Sequence, residues 1–597
     1  YPKLRSATAS EFMDYVTERY GDKIPAYRAA YPDWWTDGFG SAARETAASR
    51  KTHSDMTAVE GLLSMAVLKD KCLPQATHQQ IEHIHESLLF YDEHTFGASE
   101  SVSDPLCENS QVQWGEKSAY AWEAVKRTQM LYETSVGLLQ GDLRRGKNPT
   151  LTIFNTLNWK RSEMLTVYID FEVIPRNQFF EITDFQGHSL KVQPIRYRRE
   201  GCYYAIFAED IPPMGYKTFE IVFKQPSTDT GTITINNASI ENHFYKLQLN
   251  PDKGTIQSLY DKELNCELVD SSSPWELGAF IYEKLGNRDQ LAQYRLDDYN
   301  RTGLSECRII DSSNGPIYQR ILLQGKSPGT DEAFGVNLEI KLYHDTKRIE
   351  LEYAIKRLPE TDPSGIYVAF PFQLPEGKLA FDVQGGTVIS GKNQLEGTST
   401  DWNTVQNFVS VQNNQAQIII GSSLIPLYQL GDINLGKFQY QKQYERPHVY
   451  SWVMNNYWNT NFKASQEGEF RWSYHLTSSV DPSNNLATKF GWSSRIPLYA
   501  RVMPTGTENH KPTEYSAFHF EKDNFLMTSC TPSKEEGYIL LNIREIDGKR
   551  TNLRILNEDG QTIPFTIVNA IEEKLENETS EHIFEGYQNK FIKIKRF

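Results

Sequence analysis

Two hydrophobic periods divide the chain near residue 145. Before that point apolar positions recur every three or four residues, the spacing that gathers them on one side of an α-helix. A first helix is predicted from Thr8-Ala9-Ser10-Glu11, where a hydroxyl and a carboxylate three residues apart can each accept from the other's free backbone N–H. It continues through Phe12, Tyr15 and Val16 and stops at Gly21. A second runs from about 41 to 70, where Ala42, Ala43, Ala47 and Ala48 give way to Leu62, Leu63, Met65, Ala66 and Leu68. A third, over 77–91, aligns Ile81, Ile84, His85, Leu88 and Leu89, and a fourth, from about 115 to 139, aligns Trp122, Val125, Gln129, Tyr132 and Val136. Four helices of this kind predict a compact bundle.

After Asn148 the period shortens to two. Runs such as Leu165 to Ile169 and Cys202 to Ile206 are rich in β-branched and aromatic residues and are broken by Pro, Gly, Asn and Asp. Between 233 and 497 no helical pattern interrupts them, which predicts large antiparallel sheets and no helix-wound parallel sheet. The expected fold is a multidomain α+β chain, a helical bundle followed by mainly antiparallel β-sandwich domains. Its divisions are a bundle at 1–145, a small sandwich at 146–226, a large sandwich at 227–497 and a final β domain at 498–597, with a polar joint at Ser227 to Thr232. At 597 residues the chain is well past the size at which one core stops growing.

The net charge of −15, with no long run of Lys and Arg, excludes a phosphate backbone as partner. No apolar run approaches the ~20 residues of a membrane-spanning helix. Tyr1 stands where a Met would open a gene product, so a processed or truncated start is expected. Six cysteines without CxxC spacing argue against a zinc ribbon or a redox pair and predict free, buried thiols.

Five segments carry a family resemblance. They are Tyr31-Pro-Asp-Trp-Trp-Thr-Asp-Gly-Phe-Gly-Ser41, Asn155-Thr-Leu-Asn-Trp-Lys-Arg-Ser162, Asn242 to Lys246 with Lys253 to Glu263, His344 to Glu350, and Val453 to Ala464. In this order they resemble the middle and C-terminal parts of family 38 α-mannosidases. The resemblance implies that the large sandwich is mutarotase-like. It also implies a retaining hydrolysis of α-mannosides with a zinc cofactor held by four side chains. Three of these ligands and the nucleophile come from an N-terminal α/β domain with a His-x-Asp pair. Nothing in this sequence matches that domain, so it is expected as a partner beyond Tyr1, and the chain by itself is expected to be inactive.

By the same resemblance the fourth zinc ligand is His94, in Tyr91-Asp-Glu-His-Thr-Phe-Gly-Ala98, although the animal enzymes spell this motif His-His-Asp. The proton donor is Asp33 or Asp37, because an indole wall raises a carboxyl pKa by desolvation. A retaining enzyme needs this acid roughly 5 Å from the nucleophile. Carbohydrate contacts fall to Trp34, Trp35, Asn455, Asn456, Tyr457 and Trp458, since rings cover C–H faces and amides pair with hydroxyls. Asp401 to Gln406 is a weaker cluster of the same kind. Each has a structural alternative: Asp33 as a helix-entry cap, the tryptophans as a staple between domains, and the asparagines as turn formers. His53, His78, His83 and His85 lack ligand spacing and read as surface or core. A polysaccharide lyase and a non-catalytic carbohydrate-binding sandwich are the alternative readings, and homo-oligomerisation stays open.

Overall fold

α1 (Ala9–Tyr20) starts as its sequence predicts. Thr8 Oγ1 accepts from Glu11 N at 3.2 Å, and the Glu11 carboxylate accepts from Thr8 N at 2.9 Å. In the computed structural model, which describes residues 3–225 and 238–597, this helix buries none of its residues, and Phe12, Met13 and Tyr15 face solvent. The bundle is therefore three helices, not four: α2 (Ala43–Leu68), α3 (Thr77–Asp92) and α4 (Glu108–Leu139). An amphipathic period shows that a face can be covered but not what covers it. The joint expected at Ser227 to Thr232 lies outside the described residues.

α2 is buried on two sides. Met56, Val59 and Leu63 pack with Ile81, Ile84 and Leu88 of α3 and with Ala124 and Leu131 of α4. Leu62, Met65 and Ala66 pack instead on the C-terminal sheet, against Phe525, Met527 and Ile543. A helix covered on two sides has no single apolar stripe, which is why its sequence moves from alanines to a dense leucine-rich half.

The large sandwich contains a nine-stranded and a six-stranded sheet. The nine-stranded sheet has Ile349–Arg357 beside Gly468–Ser479 at its centre. The six-stranded sheet runs in the order Tyr299–Thr302, Ala279–Leu285, Ser364–Phe370, Val449–Asn455, Leu427–Leu430, Asn403–Thr404. Both are antiparallel in every described pairing. Their facing sides make one core in which Ile366, Val368 and Val453 meet Leu338, Leu351, Trp472 and Tyr474. The opposite side of the six-stranded sheet presents Tyr367, Trp402, Tyr450 and Trp452, and this aromatic layer is what the candidate site rests on.

Three expectations change here. α5 (Asn484–Arg495), capped by the Ser483 hydroxyl, interrupts the stretch read as strands alone. Its Gly491 lies against Asn407 and Phe408, and Leu486, Ala487 and Phe490 pack with Phe408 and Ile419, an apolar face too short to stand out among the strands in the sequence. The small sandwich is also not continuous in sequence. Tyr499–Met503 pairs with Thr150–Asn155, and Glu514–Ser516 pairs with Gly215–Lys224, so residues assigned to the last domain complete its sheet. The cysteines are all free, but only Cys202 and Cys530 are buried, and Cys72 is exposed. Among the described residues no helix is long and apolar enough to cross a membrane.

Candidate functional site

The site begins with a segment pinned to the aromatic layer. Trp34 meets Trp402 and Tyr294 edge-on, with centroids 5.7 and 5.8 Å away, and Trp402 Nε1 donates to Thr36 Oγ1 at 3.1 Å. The chain then turns through a 3-10 helix, Thr36–Ala42. Two glycines permit its close approach to the sandwich. A Cβ at Gly38 would overlap the Phe462 ring, and one at Gly40 would overlap the Asn455 amide. Asn455 Nδ2 donates to the Asp37 carbonyl at 2.9 Å. Gln466 Nε2 donates to the Gly40 carbonyl at 2.7 Å, and its Oε1 accepts from Ala43 N at 3.0 Å, capping α2.

This frame holds Asp37 in the interior, only 7% exposed. Burial pushes its carboxyl up to about 8. Hydrogen-bonding groups of Trp458 and of the nearby backbone pull it the other way, and the Asp33 charge adds a small upward push. The Trp458 indole favours the carboxylate from nearby without completing a hydrogen bond of normal geometry, so Asp37 Oδ1 and Trp458 Nε1 are both buried without one. The group is thus a protonated carboxylic acid at neutral pH. Trp35 projects outward beside it. Its ring lies 5.0 Å from the His94 imidazole and 6.3 Å from Trp458, so tryptophans from two domains and the histidine form one patch.

His94 follows the end of α3, where Lys117 Nζ donates to the Phe90 and Glu93 carbonyls at 2.7 and 2.6 Å and closes the last turn. The Glu93 carboxylate accepts from Thr95 N and Oγ1 and approaches His94 Nδ1 at 2.9 Å. The loop is fastened to the sandwich by Phe96 N donating to the Asn461 carbonyl and Asn461 N donating to that of Ala98. A carboxylate on one ring nitrogen orients an imidazole so that the other can meet a metal, the arrangement found around metal-ligating histidines. The Glu93 carboxylate lies beside His94 Nδ1, and the ring is half exposed. Among the described residues no group of three or more His, Cys, Asp or Glu could hold a metal ion.

The remaining expected site residues divide clearly. Asp33 is exposed, and its Oδ1 accepts from Trp35 N at 3.2 Å, the local turn role that an Asp at a helix entry favours. Asn455, Asn456 and Tyr457 do not form a sugar-facing loop. Asn456 Nδ2 donates to the Glu360, Asp362 and Ala464 carbonyls, and its Oδ1 accepts from Ser364 N. The Tyr457 hydroxyl donates to buried Glu283 at 2.6 Å. With their polar atoms committed to protein partners and their side chains inside, these three support the site from behind. Trp458 alone of that run reaches the patch. The sequence reading missed Glu93, Lys117, Phe462 and Gln466. Glu93 adjoins His94 and could have been suspected, whereas Gln466 acts across 423 residues and left no local trace.

Two family models match the chain. The α-mannosidase middle domain matches residues 33–139, and the glycosyl hydrolases family 38 C-terminal domain matches residues 240–438. No curated protein matches it. The crystal structure of an α-mannosidase from Enterococcus faecalis V583 is 13% identical with a TM-score of 0.74, and the match covers 98% of this chain and 72% of that one. A protein in the glycosyl hydrolase family 38 from Enterococcus faecalis is 14% identical with a TM-score of 0.72, covering 98% of this chain and 73% of that one. Likeness at these identities shows the shared fold, and the two matched models add the sequence signature that spans bundle and sandwich. The chain belongs to glycoside hydrolase family 38, of which it carries the middle and C-terminal domains.

Proposed function

We propose that this chain supplies one wall of the active site of a retaining, zinc-dependent α-mannosidase. The observation that carries the reading is the convergence of Trp35, Asp37, Trp458 and His94, with Glu93 beside it, at the seam between bundle and large sandwich. His94 would give zinc one donor, and the others would come from an α/β domain beyond these residues. Bound there, zinc supplies a positive charge that grips sugar hydroxyls. Trp35 offers its exposed face to the apolar side of a pyranose ring. Asp33, open to solvent, is the carboxyl that can reach a leaving oxygen. Asp37, fixed and neutral behind Trp35, keeps a second negative charge away from the seam. Neither a lyase nor a binding scaffold has an observation here that favours it.

The test is hydrolysis of 4-nitrophenyl α-mannoside. This chain alone is expected to show none, with or without added zinc. Joined to the α/β domain of the family, it is expected to release α-mannose first, seen by NMR, with Asp33→Asn slowed about 100-fold or more on poor leaving groups and far less on dinitrophenolate. First release of β-mannose, or an Asp33→Asn enzyme with wild-type rates on every leaving group, overturns the assignment.

A further inference from the structure

A cavity of about 1220 Å³ lies where α2, the segment before Trp34, the large sandwich and α5 meet. Asp33, the proposed acid, lies on its wall, whereas Trp35, Asp37, Glu93, His94 and Trp458 do not. Its walls carry four permanent cations, Arg28, Arg50, Lys392 and Arg495. The chain has 77 acidic residues against 62 basic ones, so carboxylates are not scarce. Other enclosed arginines have one: Arg161 meets Glu163 at 2.7 Å, and Arg320 meets Glu339 at 2.6 Å. Among the described residues these four cations have no carboxylate within ion-pair distance.

The carboxylates nearby are engaged elsewhere. Asp92, on the cavity wall, is taken by His53 at 2.7 Å and Ser49 at 2.9 Å, and Asp33 accepts from the backbone of Trp35. Asp382 accepts from Asn407 and approaches Arg544 at 3.7 Å, and its charge favours the Arg495 cation only from beyond ion-pair distance. Arg50 and Arg495 are held from behind by neutral acceptors only. Arg50 donates to the Gln406 carbonyl at 2.8 Å and leaves its Nε buried without a partner. Arg495 donates to Ser54 Oγ at 2.7 Å and to Asn407 Oδ1 at 3.1 Å. Burial and their mutual repulsion push the Arg50 guanidinium down to about 9, and burial does the same in direction for Arg495. A guanidinium does not give up its proton in a protein, so this unfavourable energy persists until an anion enters. Both guanidiniums line one space, and charged N–H donors around a cavity are the chemistry that recognises a phosphate or carboxylate.

We propose that this cavity is a binding site for the oxyanion group of a small molecule, a phosphoryl group above all, gripped by Arg50 and Arg495 with Arg28 and Lys392 at its mouth. The space far exceeds a bare phosphate, and amides of Gln384, Asn393 and Asn403 on its walls suit the hydroxyls of an attached sugar.

Calorimetric titration of this chain in a buffer free of multivalent anions compares mannose 6-phosphate, mannose and inorganic phosphate. Mannose 6-phosphate is expected to bind below about 1 mM and mannose not at all. Tighter binding than inorganic phosphate identifies a phosphorylated sugar as the ligand, whereas equal binding identifies the free oxyanion. Arg50→Gln and Arg495→Gln should each weaken it about tenfold or more. Should those changes unfold the chain, the exposed double variant Arg28→Gln/Lys392→Gln carries the test, with the solvent-facing Arg471→Gln as the control expected to bind normally. Mannose binding as tightly as its phosphate, or cavity variants indistinguishable from Arg471→Gln, overturns the proposal.

Discussion

A single carboxyl shows how far the fold departs from water. In the unfolded chain Asp37 ionises near its ordinary value of 3.8, whereas burial in the fold holds it protonated up to about 8. Between those values the unfolded state binds fewer protons than the folded one, so this group lowers stability progressively as pH rises from about 4 to 8. Asp37→Asn removes the titration and keeps the shape. Its unfolding free energy, measured by denaturant titration, should overtake that of the parent steadily across this window. The gap should level off above pH 8 at roughly 4 to 6 kcal/mol as an upper bound. A constant difference from pH 4 to 8 would show that the carboxyl is not buried in its neutral form. His94 contrasts with it: its ring is half exposed, with the Glu93 carboxylate beside it.

At the scale of elements, the site depends on how tightly the turn Thr36–Ala42 enters the groove beside Val449–Asn455. Gly38 faces Phe462, a ring that is 3% exposed and stacked with Phe96, so it has little room to move. Gly38→Ala is expected to lower stability by about 1 to 3 kcal/mol and to lift Trp35 away from His94. Both effects are measurable, the first by thermal unfolding and the second by a change in tryptophan fluorescence. An unaltered emission spectrum with an unaltered melting temperature would contradict the packing described. The helices were legible in the chain because their 3.6-residue period is a local property, and the Thr8 capping pair is met as read. Most of the site's framework was not legible. Asn455, Asn456 and Tyr457 look like sugar ligands because amides and phenols serve carbonyls and buried carboxylates as readily as hydroxyls, and only burial distinguishes the two. α1 was misread as a bundle member for a related reason, since its apolar residues are real but its neighbour is not among α2, α3 and α4.

For the molecule as a whole, the divisions read from composition describe the order of the chain better than its units of stability. Leu62 and Met65 of the bundle share a core with Phe525, Ile543 and Ile592 near the C-terminus. The small sandwich is closed by Tyr499–Met503, whose Met503 stands opposite Thr150. A fragment of residues 146–226 is therefore expected to remain unfolded or to associate, because Thr150–Asn155 would present an unpaired, fully buried-type edge. Circular dichroism and light scattering on that fragment check this, and a monomer with cooperative unfolding would refute it. The same pairing of residues 150 and 503 sets a schedule for synthesis. As the ribosome works from the N-terminus, the strand Thr150–Asn155 waits with an open hydrogen-bonding edge until Tyr499–Met503 has emerged. Such late closure leaves an unpaired edge exposed while the sandwich between them is being made, the kind of edge that slows folding and invites association.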